Sequence, residues 1–322
     1  MERKLKNSLS INKTLLLLSL LAILSGTFAC VIGEIMIPVL VGLLGAIYIF
    51  DTKRVFSIVV SSLILALNIA AVLFNISFSL FAPASVILSL ILHKGYLTSE
   101  SKSNTAYIMT VVCTVFTVVS YMLYAMLEQN SFSIDAALEY YTLLVDEFRT
   151  IFVQAVHDLY ASSGMEVAVE TIESLFNAQL NLIISYLLIG GFVITGFSMK
   201  LFGAVVKKCS EDDTKIKQWR FTASRVYAYF YVALIFASLF TTGADSLFAV
   251  SVLNLYNIFL VVFAYIGFKV ALEIISHRMR PVISTVIIIL LVVVFSSIAA
   301  QILAALGVLY VLRRNTAMPD QK

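Results

Sequence analysis

The chain has 322 residues, of which 61% are hydrophobic and 13% charged, with a formal net charge of +3. Soluble domains carry roughly 25% charged residues. No water-soluble fold hides this much apolar surface, so lipid is the solvent for most of the chain. The three cysteines, Cys30, Cys113 and Cys209, are scattered without paired spacing, which argues against a disulfide framework or a zinc knuckle.

In chain order, a basic start (Glu2 to Lys13) precedes an apolar core (Thr14 to Leu24) and the small-residue site Thr27-Phe28-Ala29. That layout is shared with secretory signals. Apolar sequence continues through Val31 and resumes at Ile35, so an uncleaved first span is expected. Further apolar windows predict spans at about 14–32, 35–50, 55–74, 77–92, 105–127, 179–206, 224–242 and 247–275. The 35–50 and 77–92 windows are short and carry Pro38, Gly42 and Gly45, and Pro83. They are expected to be short, broken or tilted helices buried among neighbours. The last run, Pro281 to Leu312, is long for one span and has Ser296, Ser297 and Gln301 in its middle.

Charge orients the spans. Lys and Arg favour the cytoplasmic side. With Arg3, Lys4, Lys6 and Lys13 inside, alternation also puts Lys53, Arg54, Lys94, Lys102, the Lys207–Arg225 loop, Arg278 and Arg280 inside. Crossing twice within 281–312 brings Arg313, Arg314 and Lys322 inside as well, leaving Arg149 as the only outside base. The expected fold is therefore all-α: a polytopic bundle of about ten membrane segments with both termini cytoplasmic. Its parts are five spans in 1–127, an outside acidic hairpin at 128–177, a sixth span at 178–206, a basic loop at 207–223, four further segments in 224–312 and a tail at 313–322.

The 128–177 segment holds nine acids and one fixed positive charge. Ile134, Leu138, Tyr141, Val145, Phe148, Phe152, Ala155 and Leu159 step by four and three, a helix with a narrow apolar seam. Ser162-Ser163-Gly164 interrupts it, and Ser163 with Glu166 has capping-box spacing for a second helix. Leu138, Val145, Phe148 and Phe152 are expected to pack on Val169, Ile172 and Phe176 of that helix.

No catalytic signature is present: no phosphate loop, no His-Glu-x-x-His and no Gly-x-Ser-x-Gly. His93, His157 and His277 fall in or beside loops on different sides, so neither an enzyme, a cofactor nor a metal is expected. Polar residues in or near the spans are the better lead, because lipid makes them costly. Asn68 and Asn75 are two turns apart on one face; Asn254 and Asn257 share another. Glu34, Asn75, Tyr121, Tyr124 and Asn181 all fall toward the outer leaflet, where one outward-facing substrate pocket is expected, with Asn68 below it. Asparagines that bridge helices and tyrosines in the interfacial belt remain the alternative. Ala22 and Gly26 place small residues on the first span, for helix packing or for contact with a partner.

The order of motifs along the second half carries a resemblance. The acidic insertion is followed by a span, a basic loop ending Lys217-Gln218-Trp219-Arg220-Phe221, then Asn254-Leu255-Tyr256-Asn257, Tyr265-Ile266-Gly267-Phe268 and Leu306-Gly307-Val308-Leu309-Tyr310 before an Arg pair. This resembles the YybS-like family of predicted bacterial membrane proteins, a domain of unknown function. Thr222 and Ile266 stand where that family often has Pro and Gln. The family is distantly similar to the substrate-binding S-components of energy-coupling-factor transporters, which have six helices with both ends inside. The resemblance implies a six-span solute-binding unit over 1–206 and a transporter coupling subunit, met through Ala22 and Gly26. The competing expectation is a scaffold or envelope-assembly factor that binds other membrane proteins through its outside hairpin and basic loop. The lipid bilayer is the expected partner in either case, nucleic acid is not, and the oligomeric state is left open.

Overall fold

The computed structural model describes residues 8–74, 76, 79–98, 101–164, 167–209, 221, 223–241, 246–276 and 298–313. Among these residues there are helices and turns and no strand. The helices are α1 (Ser8–Ile32), α2 (Ile37–Phe50), α3 (Val55–Leu73), α4 (Phe81–Leu97), α5 (Lys102–Glu128), α6 (Ile134–Ser162), α7 (Val169–Leu180), α8 (Ile183–Cys209), α9 (Arg225–Leu239) and α10 (Leu247–Ser276). A further helix, α11, covers Ile298–Arg313. Five stretches are long and apolar enough to cross a membrane: Asn12–Phe50, Val55–Leu73, Lys102–Glu128, Ile183–Cys209 and Leu247–Ile275. Phe81–Leu97, Arg225–Leu239 and Ile298–Arg313 are shorter apolar helices. Of the run 281–312, which is expected to cross twice, residues 281–297 lie outside the described residues and the remainder falls in α11.

The first stretch is not one rod. Its 39 residues turn at a short 3-10 segment, Gly33–Met36, that joins α1 to α2. Gly33 has φ +66°, a left-handed conformation that a side chain disfavours. α1 and α2 then pack on each other. α2 and α4 are short and largely buried, as expected, at 14 and 17 residues, but the prolines do not break them. Pro38 and Pro83 are the second and third residues of α2 and α4, first-turn positions where a missing N–H costs no helical bond.

The chain divides into two compact units: Met1–Ala178 with Gly190–Phe221, and Gln179–Ile189 with Thr222–Lys322. In the first unit α2 is the central helix. Leu40, Val41, Leu44, Ala46 and Ile47 are fully buried, as expected of a helix apolar all round. Two glycines let α8 close on it. A Cβ on Gly42 would lie 2.9 Å from the Leu201 side chain, and one on Gly45 3.1 Å from the Phe202 ring. Phe202 in turn meets Tyr96 edge to face at 5.4 Å. Asp51, buried behind α2, accepts hydrogen bonds from the Ser57 amide (2.7 Å) and hydroxyl (2.9 Å), which fixes the turn into α3.

The acidic segment is helical, but its seam differs from the expectation. Ile134, Leu138, Phe148 and Leu159 are exposed, while Ala137 is buried. Small Ala137 lies on the face that α6 turns inward, and α6 packs on α5. The Tyr141 hydroxyl donates to the Tyr121 carbonyl on α5 at 2.6 Å. These contacts turn the inward face by one residue from the heptad reading. On the predicted seam Phe152 of α6 meets Phe176 of α7 with ring centroids 5.6 Å apart, and Ile172 of α7 is fully buried. The Arg149 guanidinium adds a cation–π contact, 5.8 Å from the Phe176 centroid. Ser163 does not open α7. Its hydroxyl donates back to the Leu159 carbonyl at 3.0 Å, and α7 begins at Val169; Glu166 lies outside the described residues. The predicted sixth span also starts later than expected, because the chain turns at Asn181–Leu182 between α7 and α8.

In the second unit, α9 packs on α10 through aromatic rings. Tyr231 stacks on Tyr256 and Phe263 with centroids 5.9 and 5.2 Å apart. α10 and α11 cross at Gly267 and Gly307, where a Cβ on either glycine would strike the other helix's backbone, at the Leu303 and Phe263 carbonyl oxygens.

Candidate functional site

At one end of the first unit, four segments enclose an open cavity of about 650 Å³. Ile32 closes the end of α1, and Glu34 and Ile35 come from the turn that follows. Ile76 and Ser79 belong to the connection between α3 and α4. Ser120, Tyr121 and Tyr124 come from the last turns of α5, and Tyr140, Tyr141 and Leu144 from α6. Small-molecule sites usually occupy about 300–1,000 Å³, with apolar walls and few polar groups. This cavity has that make-up.

Its walls are fixed from behind. Asn68 is buried on α3 and its amide Nδ2 donates to the Ser79 carbonyl at 2.9 Å, which holds the α3–α4 connection against the cavity. The Ser120 hydroxyl donates to the Phe116 carbonyl (2.8 Å) and accepts from the Leu80 amide (3.1 Å). Both groups are therefore used in positioning the wall. Tyr140 stands nearly perpendicular to two neighbours, 81° to Tyr124 at 6.1 Å and 84° to Tyr141 at 5.4 Å. On α6, burial pushes the Tyr141 hydroxyl up from its usual value, and the neighbouring Tyr140 and Tyr121 add to the shift. Tyr141 therefore stays protonated and keeps its bond to Tyr121.

Glu34 is the one charged residue among the described lining residues. It is partly buried, and none of the described residues forms an ion pair with it. A carboxylate taken out of water needs a compensating partner.

Of the residues expected to line an outer pocket, Glu34, Tyr121 and Tyr124 share this cavity, and Asn68 supports it. Asn75 lies outside the described residues. Asn181 belongs to the second unit, where its carbonyl accepts from Asn254 Nδ2 at 2.7 Å. Ala22 is fully buried, and a Cβ on Gly26 would lie 3.3 Å from Ile64 of α3. Both small residues pack within the first unit. Sequence reasoning missed Tyr140, Ser79 and Ser120 and put Tyr141 in the wrong contact. The adjacent Tyr140-Tyr141 pair on a mostly acidic helix was the available signal. Among the described residues no group of three or more His, Cys, Asp or Glu is arranged to hold a metal.

The sequence model of a family described as a predicted membrane protein (DUF2232) matches residues 14–309. The chain belongs to that family. The match covers both compact units, so the DUF2232 family spans the cavity and the glycine crossing alike. No curated protein and no solved structure matches the chain significantly.

Proposed function

We propose that this DUF2232 protein is a small-solute-binding component of a bacterial cytoplasmic membrane, resembling an S-component, with no catalytic role of its own. The observation that carries this reading is the cavity of about 650 Å³, assembled from four separate segments around Glu34, the one carboxylate among the described lining residues. Native mass spectrometry of the purified full-length chain tests it. A co-purifying small molecule, lost in variants of the cavity lining, is the expected result. A bound protein without any small molecule would favour the scaffold reading. That second reading has its own support in the apolar stripe Ile134, Leu138, Phe148 and Leu159, which α6 leaves exposed.

In this reading the cavity opens to the outside, and the bundle has ten membrane segments with both ends in the cytoplasm. The distribution of Lys and Arg supports that orientation. Single cysteines placed at Glu139, Ser210 and Asp320 of a chain freed of Cys30, Cys113 and Cys209 are expected to label from outside, inside and inside. Outside labelling at Asp320 would replace the final double crossing with one long helix.

α6 and α7 stand outside the membrane as a helical hairpin pinned at Phe176. Losing that ring's contacts is expected to weaken the pin by roughly 1–2 kcal/mol, since full burial of a Phe is worth about 1.5–3 kcal/mol and this ring is only partly buried. Phe176→Asp should therefore speed external proteolysis within 128–177 about tenfold. Phe148→Asp, at a position 59% exposed, should leave it unchanged. Equal cutting of both variants would remove the Phe152–Phe176 contact as the pin.

A further inference from the structure

We propose that the cavity of the first unit is a cage for an organic ammonium ion, with a quaternary or N-methylated head set among the tyrosine rings beside Glu34. This rests on the solute-binding reading and names its ligand class. The lining decides between three kinds of solute. An anion is disfavoured, because Glu34 is the only charged residue among the described lining residues and no Lys, Arg or His joins it. A neutral polyol or sugar needs free hydroxyls and amides on the walls. Two of the hydroxyls are already committed, Ser120 to Phe116 and Leu80, and Tyr141 to Tyr121. The rest of the wall is mostly ring faces, with the Ser79, Tyr121, Tyr124 and Tyr140 hydroxyls and one carboxylate as its polar groups.

Ring faces beside a carboxylate are the chemistry of cation recognition. The face of an aromatic ring is electronegative and attracts a cation within about 6 Å of its centroid. A compact onium head is best held by rings that meet at right angles, since each then turns a face to a different side of the ion. Tyr140 makes such corners with both Tyr124 and Tyr141, at 81° and 84°. Tyr121 and Glu34 line the same space. Burial disfavours the charge of a carboxylate, and a cation in the cage offsets that cost without needing hydrogen-bond donors. Ile32, Ile35, Ile76 and Leu144 complete the wall, so the rest of the ligand meets apolar surface.

The ammonium head can belong to a free solute or to a choline lipid, and the experiment separates the two. Full-length protein in a maltoside detergent, free of choline lipids, is titrated with tetramethylammonium and with choline by calorimetry. Saturable binding of both is expected. Glu34→Gln and Tyr140→Leu should each weaken it at least tenfold, while Tyr140→Phe, which keeps the ring, should stay within about threefold of the parent. Each variant is first checked for an unchanged melting temperature, and Tyr140→Phe guards against a folding defect being mistaken for lost recognition. The uncharged carbon analogue of choline, 3,3-dimethylbutan-1-ol, should not bind. Equal affinity for the analogue, or full affinity in Glu34→Gln, overturns the proposal. Repeating the titration in nanodiscs identifies the source. Choline binding in phosphatidylglycerol discs that is lost in phosphatidylcholine discs assigns the cage to a lipid head, and binding unaffected by phosphatidylcholine assigns it to a free solute. A neutral or anionic molecule found by native mass spectrometry in the same cavity would overturn the ammonium cage while leaving the solute-binding reading standing. A cavity that binds no small molecule would overturn both.

Discussion

Gly307→Leu is expected to separate α11 from α10 and to destabilise the second unit by about 3 kcal/mol or more. Overpacking a well-filled contact usually costs about 1–3 kcal/mol, and that figure assumes neighbouring side chains can shift. Here the neighbour is backbone. A Cβ on Gly307 would meet the Phe263 carbonyl oxygen, and one on Gly267 would meet the Leu303 carbonyl oxygen. The clash is relieved only by moving the two helices apart, which gives up the close packing that holds helices together in lipid. Gly267→Ala should already be costly for the same reason, and Gly267→Leu more so. Gly196→Leu on α8 is the control, because none of the described residues lies within 4 Å of a Cβ there and Leu is a better helix former than Gly. The measurement is thermal unfolding in detergent, followed by circular dichroism and size exclusion. Gly307→Leu should melt well below the parent and Gly196→Leu at or above it. Equal melting of the two would mean that the α10–α11 crossing contributes little.

The glycine crossing also marks a limit of reading the chain as sequence. Gly267 and Gly307 both stand in the motifs that carry the family resemblance. A small residue in an apolar helix announces a close approach without naming the partner, and these two are separated by a whole connection. The cavity was more legible. Alternating spans put the Glu34 turn and the end of α5 on the same side, so Glu34, Tyr121 and Tyr124 fell together from charge counting alone. Tyr140 and Tyr141 were lost because the four-and-three spacing of α6 was assigned to packing on α7. The spacing describes the helix correctly but does not say which neighbour it meets. Ala137 and the Tyr141 hydroxyl bond decide that, and both point to α5. The exposed remainder of the seam is what the heptad pattern describes, without its expected partner.

Asn254→Ala is expected to loosen the start of α8 by about 2 kcal/mol. Sequence reading placed Asn254 and Asn257 on one face and could not separate a ligand-binding role from a packing one. The geometry separates them for Asn254, which is buried and makes three bonds. Its Oδ1 accepts from the Ser185 amide at 2.9 Å. Its Nδ2 donates to the Asn181 carbonyl at 2.7 Å and to Val250 on its own helix at 2.9 Å. Ser185 is the third residue of α8, so its N–H has no partner within the helix. Asn254 therefore caps α8 from a different helix, as Ser101, Ser133 and Ser224 cap α5, α6 and α9 from within their own chain segments. Truncation leaves a buried amide unpaired, at a cost of about 1–3 kcal/mol, and removes a donor from Asn181. Side-chain bonds between membrane helices average only about 0.6 kcal/mol, because the alternatives in lipid also find partners; the orphaned backbone amide is what raises this case above that average. Asn257→Ala is the matched control, since among the described residues its side chain has no hydrogen bond. Hydrogen exchange over residues 183–186 reads the effect locally. Exchange there should quicken about thirtyfold in Asn254→Ala and stay at the parental rate in Asn257→Ala. Unchanged exchange in Asn254→Ala would show that α8 starts without this cap, and would return Asn254 to the set of residues free to meet a ligand.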